Sequence, residues 1–385
     1  MHLVMCLKVA FEYKGNFMHI LIVLTQTVSC TTETYETVMG LIENGIEVSV
    51  ILSKNVENYN DWIRLKDKIT NIYWIDTHTS KKDLLLKTII FFRNKKSILN
   101  KINESKFDFI IDTMVNYWDL FILNSIHSGK KIVYVHDPIA HSGANKFKQK
   151  WWEVQYKNAD QLIVHTEKFI PIVAQLYGKP INNIHYIPLV RFSGHHNNWV
   201  KSDMGLNYQK EWNFLFFGYI SKYKGIEILG DAFKNLLQKG YSNITLTIAG
   251  SGDFSPYEKQ YSELNNVNII NRRILDQEVG NLFSLKNVIN VVPYIDATQS
   301  GVIATALDFE VPVIASDTGG LKEQLNHGKI GVFCTAGDSK SLCNAMEKFI
   351  GNKEEYAAQK QLIREFLENI DRKTIAKKLV HAISE

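Results

Sequence analysis

Short apolar segments alternate with helical segments along most of the chain, and this alternation is what most limits the possible folds. The segment His19–Leu24 is almost entirely apolar, as expected for a strand buried on both faces of a parallel sheet. A helical segment around Glu33–Glu43 follows, Asn44-Gly45 ends it, and Glu47–Leu52 is the next predicted strand. Further predicted strands are Phe107–Asp112, Lys131–His136, Gln161–His165 and His185–Pro188. The pattern predicts a doubly wound α/β domain.

A second series begins after a polar segment around Ser193–Lys210, which we interpret as a linker. Its predicted strands are Phe214–Phe217, Ile244–Ala249, Val267–Ile270, Val288–Val292 and Val311–Ala315, with a helix through Asp231–Gln238 and helical sequence after Lys340. A length of 385 residues fits two such domains. Because open α/β sheets bind ligands at the carboxyl ends of their strands, we expect functional residues just after strands.

The first candidate binding loop is FFGYISKYKG, residues 216–225, which leaves a strand and opens a helix. Gly218 and Gly225 permit close backbone approach, the amides of a helix N-terminus favour a phosphate, and Lys224 adds a positive charge. The alternative is an ordinary glycine-containing turn that carries a solvated lysine.

The second candidate loop is ATQSGV, residues 297–302, which follows an apolar strand and precedes an apolar helical segment. Ser300 and the amides of Ser300 and Gly301 lie where that helix begins and can hold a diphosphate. The alternative is that Thr298 or Ser300 only caps the helix. Lys224 and a further loop with Gly319-Gly320 favour the diphosphate hypothesis, because separate turns then supply compatible chemistry.

In the first half, His136 and Asp137 follow a predicted strand, and Pro138 ends its ladder. A histidine there can bond a sugar hydroxyl or take part in proton transfer, although a lone histidine also serves as a packing residue.

The net charge of +4 is concentrated in the first half, which holds 24 Lys and Arg against 19 Asp and Glu up to residue 205. The segment Lys81–Lys106 carries eight of these cations among many apolar residues. Docking on an anionic membrane is one hypothesis for it, and a solvated helix face is the alternative. Nucleic acid is not an expected partner, because the second half is nearly neutral and no binding motif is present.

Several patterns are absent from the sequence. There is no Asp-x-Asp pair for a metal-bound sugar diphosphate, and no G-x-G-x-x-G after the first strand, which argues against an NAD enzyme. The four cysteines show no metal-ligand spacing and are expected to be thiols in a reducing cytoplasm. We also expect no transmembrane segment, since no apolar stretch reaches about 18 residues.

Taken together, these motifs resemble glycosyltransferase family four, whose members are retaining enzymes with the two-domain GT-B fold. The similarity extends from Met18 to the C-terminus, and the donor loop is similar to the branch that reads T-Q-S-G-V. It is carried by residues 217–225, 248–252, 293–294, 297–302 and 312–321, with weaker matches at 136–138 and 187–188.

The resemblance implies roles for individual residues. Lys224, Ser300 and Gly301 would hold the donor diphosphate, with Gly218, Tyr219 and Gly225 in the same donor region. Arg273 and Ile274 would line the base pocket, and Glu323 would lie near the donor. His136, with Asp137, would be catalytic and lie beside the transferred sugar.

The sequence departs from the family pattern at two places. Ala297 and Thr305 stand where many members have a pair of glutamates, and Tyr219 stands where a basic residue is usual. A catalytically degenerate subunit that only binds a nucleotide sugar is therefore the alternative function.

The expected protein is a retaining glycosyltransferase without metal or cofactor. It uses a UDP- or GDP-sugar and a lipid-linked or oligosaccharide acceptor in bacterial surface polysaccharide synthesis, in the cytoplasm at the inner face of the plasma membrane. The predicted parts are a possible disordered extension (residues 1–17), an acceptor domain (18–200), a nucleotide-sugar domain (201–365) and a terminal helix that packs on the first domain (366–385).

Overall fold

The computed structural model describes residues 12–13, 16–28, 30–80, 82–138, 146–192, 202–207 and 209–385. The chain divides into two compact units, Met1–Val190 with Asp371–Glu385, and Arg191–Ile370. Each unit contains a parallel sheet with helices, which confirms the predicted pair of Rossmann-like domains. Most of the predicted extension 1–17 lies outside the described residues, as do residues 193–201 and 208 of the predicted linker.

The first unit is built on a seven-stranded parallel sheet with the order β5-β4-β3-β6-β7-β8-β9. A separate antiparallel pair, β1 (Glu12–Tyr13) and β2 (Asn16–Phe17), precedes it. The sheet strands are β3 (His19–Leu24), β4 (Glu47–Ser53), β5 (Asn71–Ile75), β6 (Phe109–Asp112), β7 (Lys130–Tyr134), β8 (Gln161–Val164) and β9 (Ile184–Tyr186). The strand order reverses beside β3, where an open α/β sheet leaves room for a ligand.

Helices Thr31–Glu43, Tyr59–Leu65, Leu84–Asn103, Asp119–Ser125, Lys146–Asn158 and Ile170–Tyr177 belong to this unit. The helix Leu84–Asn103 turns Phe91, Leu99 and Ile102 inward. The Phe91 ring stacks on Trp118 with centroids 4.9 Å apart, so one face of this helix is fixed to the core.

The second unit is built on a six-stranded parallel sheet with the order β12-β11-β10-β13-β14-β15. Its strands are β10 (Trp212–Phe217), β11 (Ile244–Ala249), β12 (Val267–Ile270), β13 (Val288–Val292), β14 (Val313–Ser316) and β15 (Val332–Cys334). Its helices are Ile226–Gln238, Glu258–Ser262, Asp276–Phe283, Gly301–Asp308, Leu321–Gln324, Ser339–Glu347 and Lys353–Leu367. The reversal of strand order here places the ends of β10 and β13 side by side.

The terminal helix Arg372–Ser384 packs on Thr31–Glu43 in the first unit, as the resemblance implied. Gly40 permits this contact, because a Cβ at that position would lie 2.2 Å from the Arg372 carbonyl oxygen. The Asn44 side chain donates to the Lys373 carbonyl at 2.9 Å, and the Arg372 guanidinium pairs with Glu36 at 3.2 Å.

The short pair β1 and β2 was not predicted, and in the parallel sheets the edge strands β5 and β15 were not predicted either. In β5, four of the five residues are only partly buried, so the segment lacks the continuous apolar pattern of a central strand. Strand β15 has three residues. The prediction that β7 reaches His136 is wrong, because the strand ends at Tyr134. The helical sequence predicted after Lys340 forms three helices, which are capped at their N-termini by the side chains of Asp338, Asn352 and Asp371.

Among the residues that the structure describes, no helix combines the length and the apolar character needed to cross a bilayer.

Substituting Gly40 with alanine should destabilise the first unit by about 1–3 kcal/mol, since the new methyl group must displace backbone atoms of the terminal helix. Gly230→Ala is a matched helical control: its new Cβ meets only the movable Gln260 amide, so stability should change by less than about 1 kcal/mol. Denaturant unfolding of both variants measures the difference, and equal stability would contradict the proposed packing constraint.

Candidate functional site

Three loops at the carboxyl ends of the adjacent strands β10, β13 and β14 are packed directly on one another. A Cβ at Gly225, which follows β10, would lie 1.9 Å from the carbonyl oxygen of Pro293, which follows β13. A Cβ at Gly319, which follows β14, would lie 1.4 Å from the carbonyl oxygen of Ala297. Both glycines have positive φ, of 72° and 53°, so close approach and backbone conformation both require glycine here.

The first of these loops holds Lys224 against a buried aromatic residue of the second. Lys224 ends a short 3-10 turn, Lys222–Lys224, and its Nζ lies 3.6 Å from the ring centroid of Tyr294. The Tyr223 ring is farther away, at 4.9 Å. The amide of Ile295 donates to the Tyr223 carbonyl at 2.8 Å and ties the two loops together.

Ser300 occupies the N-cap position of the helix Gly301–Asp308, but its side chain does not cap that helix. The Ser300 hydroxyl instead donates to the Tyr294 hydroxyl at 3.3 Å. The Gln324 side chain accepts from the Ser300 amide at 2.8 Å and donates to its carbonyl at 3.0 Å. The Ser300 amide is therefore engaged inside the protein, and the first amides of the helix, beginning at Gly301, are the ones that point out of its end.

The remaining predicted donor residues lie on the same edge of this sheet. Gly218 directly follows β10 with a φ of 123°, and the next side chain, Tyr219, is 63% exposed. Glu323 precedes Gln324 in its short helix and is partly buried.

Arg273 and Ile274 follow β12, which β11 separates from β10. Arg273 is exposed and Ile274 is buried. The contacts around Tyr294 thus join Lys224 with Ser300, whereas the two residues predicted for the base pocket follow the edge strand of the sheet.

In the first unit, His136 lies two residues beyond β7 and is buried, whereas Asp137 is exposed. The His136 Nε2 donates to the Thr113 carbonyl at 2.7 Å. The Cys30 sulfur, at the start of the helix that follows β3, lies 3.6 Å from the same nitrogen. Burial raises the pKa of the Cys30 thiol well above its ordinary value, and the Glu33 carboxylate raises it further.

A buried ion pair lies beneath His136. The His165 Nε2 is 2.9 Å from the Glu33 carboxylate, and its Nδ1 donates to the Ile187 carbonyl at 2.8 Å. Burial lowers the pKa of His165, but Glu33 and the Ile187 carbonyl together outweigh it and raise that pKa. Burial likewise raises the pKa of Glu33, and the charge and hydrogen bond of His165 do most to bring it below its usual value. Each group therefore favours the charged form of the other.

Cys30, Glu33 and His136 are the group of possible metal ligands found among the described residues, with their donor atoms within 4.8 Å of one another. A thiolate, a carboxylate and an imidazole are donors that suit Zn²⁺. However, Glu33 is paired with His165, and the Nε2 of His136 is bonded to Thr113. The absence of a functional metal stays a prediction.

The sequence motifs gave no site role to Cys30, Glu33, His165, Tyr294 or Gln324, although Tyr294 lies in a segment that carries the family resemblance. Position alone could have identified Cys30, His165 and Tyr294, because each follows a strand within a few residues. Glu33 and Gln324 lie inside helices, and only the tertiary structure shows which groups they contact.

Removing His165 from the buried pair should destabilise the protein more than removing Glu33. His165→Leu leaves a buried carboxylate without its cation and should destabilise the protein by about 3–5 kcal/mol at pH 7. Glu33→Leu should cost less, since an unpaired histidine, with an ordinary pKa of about 6.5, simply loses its proton. Denaturant unfolding at pH 7 tests this, and equal losses would show that the pair is not charged.

Comparison with known proteins agrees with this architecture. Residues 199–366 match the family model described as Glycosyl transferases group 1. A region of 143 residues is 31% identical to the capsular polysaccharide biosynthesis glycosyltransferase CapM of Staphylococcus aureus. This alignment spans 36% of the chain and 36% of CapM, so the match covers about a third of that relative's length.

Solved structures match over nearly the whole chain. HepE of Anabaena, in complex with UDP and glucose, is 16% identical with a TM-score of 0.69, over 95% of this chain and 99% of that one. Sucrose-phosphate synthase of Thermosynechococcus elongatus is 17% identical with a TM-score of 0.72, over 95% and 98%. The chain thus has the two-domain GT-B fold, and its residues 199–366 match the model of the Glycosyl transferases group 1 family.

Proposed function

We propose that the chain is a retaining, metal-independent glycosyltransferase that moves a sugar from a nucleotide diphosphate to a saccharide acceptor. The observation that carries this proposal is the arrangement around Tyr294. Two loops from different strands bring the Lys224 ammonium and the Ser300 hydroxyl to one buried side chain, beside the N-terminus of the helix Gly301–Asp308.

This arrangement suits a diphosphate. When the sugar leaves, negative charge grows on the diphosphate oxygens, and groups already fixed near those oxygens stabilise it. Lys224 supplies the charge, and the helix N-terminus supplies backbone amides. UDP is the first donor nucleotide to test, because HepE has been crystallised with UDP and with UDP-glucose.

The first unit is proposed to bind the acceptor and the transferred sugar. The Nε2 of His136 donates to the Thr113 carbonyl and so orients the ring that the proposal places beside the transferred sugar. The partial similarity to CapM supports an acceptor in surface polysaccharide assembly, carried on a lipid.

Lys224→Met should lower kcat/KM for sugar transfer by about 100- to 1,000-fold. This is the usual effect of removing one group that stabilises the negative charge on the leaving group. Lys222→Met, in the same turn but with an exposed side chain, is the matched control and should stay within about threefold. Transfer from labelled UDP- and GDP-sugars to saccharide acceptors measures both variants, and anomeric analysis of the product tests retention.

The same assay separates the alternatives. Full activity in the presence of a chelator is expected, and strong inhibition would contradict metal independence. Nucleotide-sugar binding by the wild-type protein without transfer or donor hydrolysis would favour a non-catalytic subunit.

The helix Leu84–Asn103 supports a membrane-bound location for the acceptor. It exposes Leu85, Leu86 and Ile89 by 58–73%, and Phe92 continues this face one turn later. Arg93 and Lys96 extend the face, Lys82 lies on the same side just before the helix, and all three side chains are exposed. The helix itself contains no acidic residue. Apolar side chains flanked by cations are typical of a helix that lies in the surface of an anionic membrane.

Reversing the three flanking charges in Lys82→Glu, Arg93→Glu and Lys96→Glu should abolish binding to anionic vesicles, since each cation contributes about 1 kcal/mol there. The control reverses Lys66, Lys68 and Lys101, exposed residues outside this face, and should retain most binding. Co-sedimentation with phosphatidylglycerol vesicles at low salt measures the effect. If both triple variants bind equally well, this helix is not the membrane contact.

A further inference from the structure

We infer that Tyr294 is a positioning residue for the donor site: its ring holds the Lys224 ammonium in place, and its hydroxyl holds Ser300. The inference rests on the proposed function, because it concerns how that site is prepared for a diphosphate. It names a residue outside the predicted donor set.

The position of Tyr294 makes it suited to this task. The residue follows β13 within two positions, its side chain is 1% exposed, and the core around it fixes the ring. Pro293, directly before it, is in contact with Gly225, the residue after Lys224. The backbone contact between the two loops therefore fixes the lysine's attachment point relative to the ring.

The ring then fixes the end of the lysine side chain. At 3.6 Å from the centroid, the Nζ of Lys224 is well inside the range of a cation–π interaction. A free lysine side chain has many rotamers and loses them when a ligand immobilises it. An ammonium already held against the ring has lost part of that freedom before the donor binds. Binding the phosphate then costs less side-chain entropy.

The hydroxyl of Tyr294 serves the second loop. It accepts the hydrogen bond from Ser300 at 3.3 Å, while Gln324 holds the Ser300 backbone from the other side. Burial raises the pKa of Tyr294 to about 12, so the side chain is a neutral phenol at physiological pH. Lys224 accordingly interacts with the face of a neutral ring and not with a phenolate.

Tyr223 provides a comparison within the same turn. Its ring also lies near Lys224, but at 4.9 Å from the Nζ, and its side chain is only partly buried. The shorter distance and the complete burial assign the positioning role to Tyr294.

The test measures the Kd of UDP, and of GDP if UDP does not bind, by isothermal titration calorimetry. Tyr294→Leu should weaken binding about tenfold, the effect expected for a desolvated cation–π contact. Tyr294→Phe keeps the ring and should weaken it by less than about threefold, while Tyr223→Leu should have a smaller effect than Tyr294→Leu. In a Lys224→Met background, Tyr294→Leu should weaken binding no more than Tyr294→Phe does in the wild-type protein, because the ring acts through that lysine and only the loss of the hydroxyl remains.

If Tyr294→Leu does not fold, a series of ring-fluorinated phenylalanines at position 294 still tests the inference. Fluorine withdraws charge from the ring face with little change in shape, so affinity should fall with each added fluorine. If affinity does not follow fluorination, or if Tyr294→Leu costs as much without Lys224 as with it, the inference is wrong. In that event a loss of nucleotide binding in Lys224→Met alone would leave the proposed function standing. A wild-type protein that binds neither UDP nor GDP would overturn both.

Discussion

Central strands of both sheets are buried on both faces, and this burial decides where chemistry can take place. In β3 five of the six residues are buried, and in β11 and β13 every residue is. Polar groups cannot be accommodated inside such strands without a partner. Functional side chains are therefore confined to the strand ends and loops, and the reversal of strand order selects which loops are neighbours.

In the second unit, two glycines allow the loops at the strand ends to pack closely into a defined site. Gly225 and Gly319 lie so close to the carbonyl oxygens of Pro293 and Ala297 that no other residue would fit. The two contacts lock three loops into one body, on which Tyr294 joins Lys224 to Ser300. A site assembled in this way needs little rearrangement when a ligand binds, which is what electrostatic stabilisation of a leaving group requires.

The sequence predicted the fold well, because periodic burial is a local property. The predicted bounds of β11, β12 and β13 are those of the structure, whereas β5 and β15 were missed: β5 is mostly only partly buried, and β15 has three residues. For the site, it predicted that Lys224 and Ser300 act together. It could not predict the link between them, because the contact with Tyr294 depends on how two loops approach each other in space.

Ser300 shows most clearly what the structure adds. Its position before an apolar helix indicated either a helix cap or a phosphate ligand, and both interpretations assumed that its polar groups were available. The structure directs the hydroxyl to Tyr294 and the amide to Gln324. The Ser300 hydroxyl can donate to a phosphate only if its hydrogen bond with Tyr294 reverses, so that the Tyr294 hydroxyl becomes the donor. In the proposed donor site the positive charge therefore comes chiefly from Lys224, and the Tyr294 ring that contacts this lysine is the part of the site that the sequence motifs could not assign.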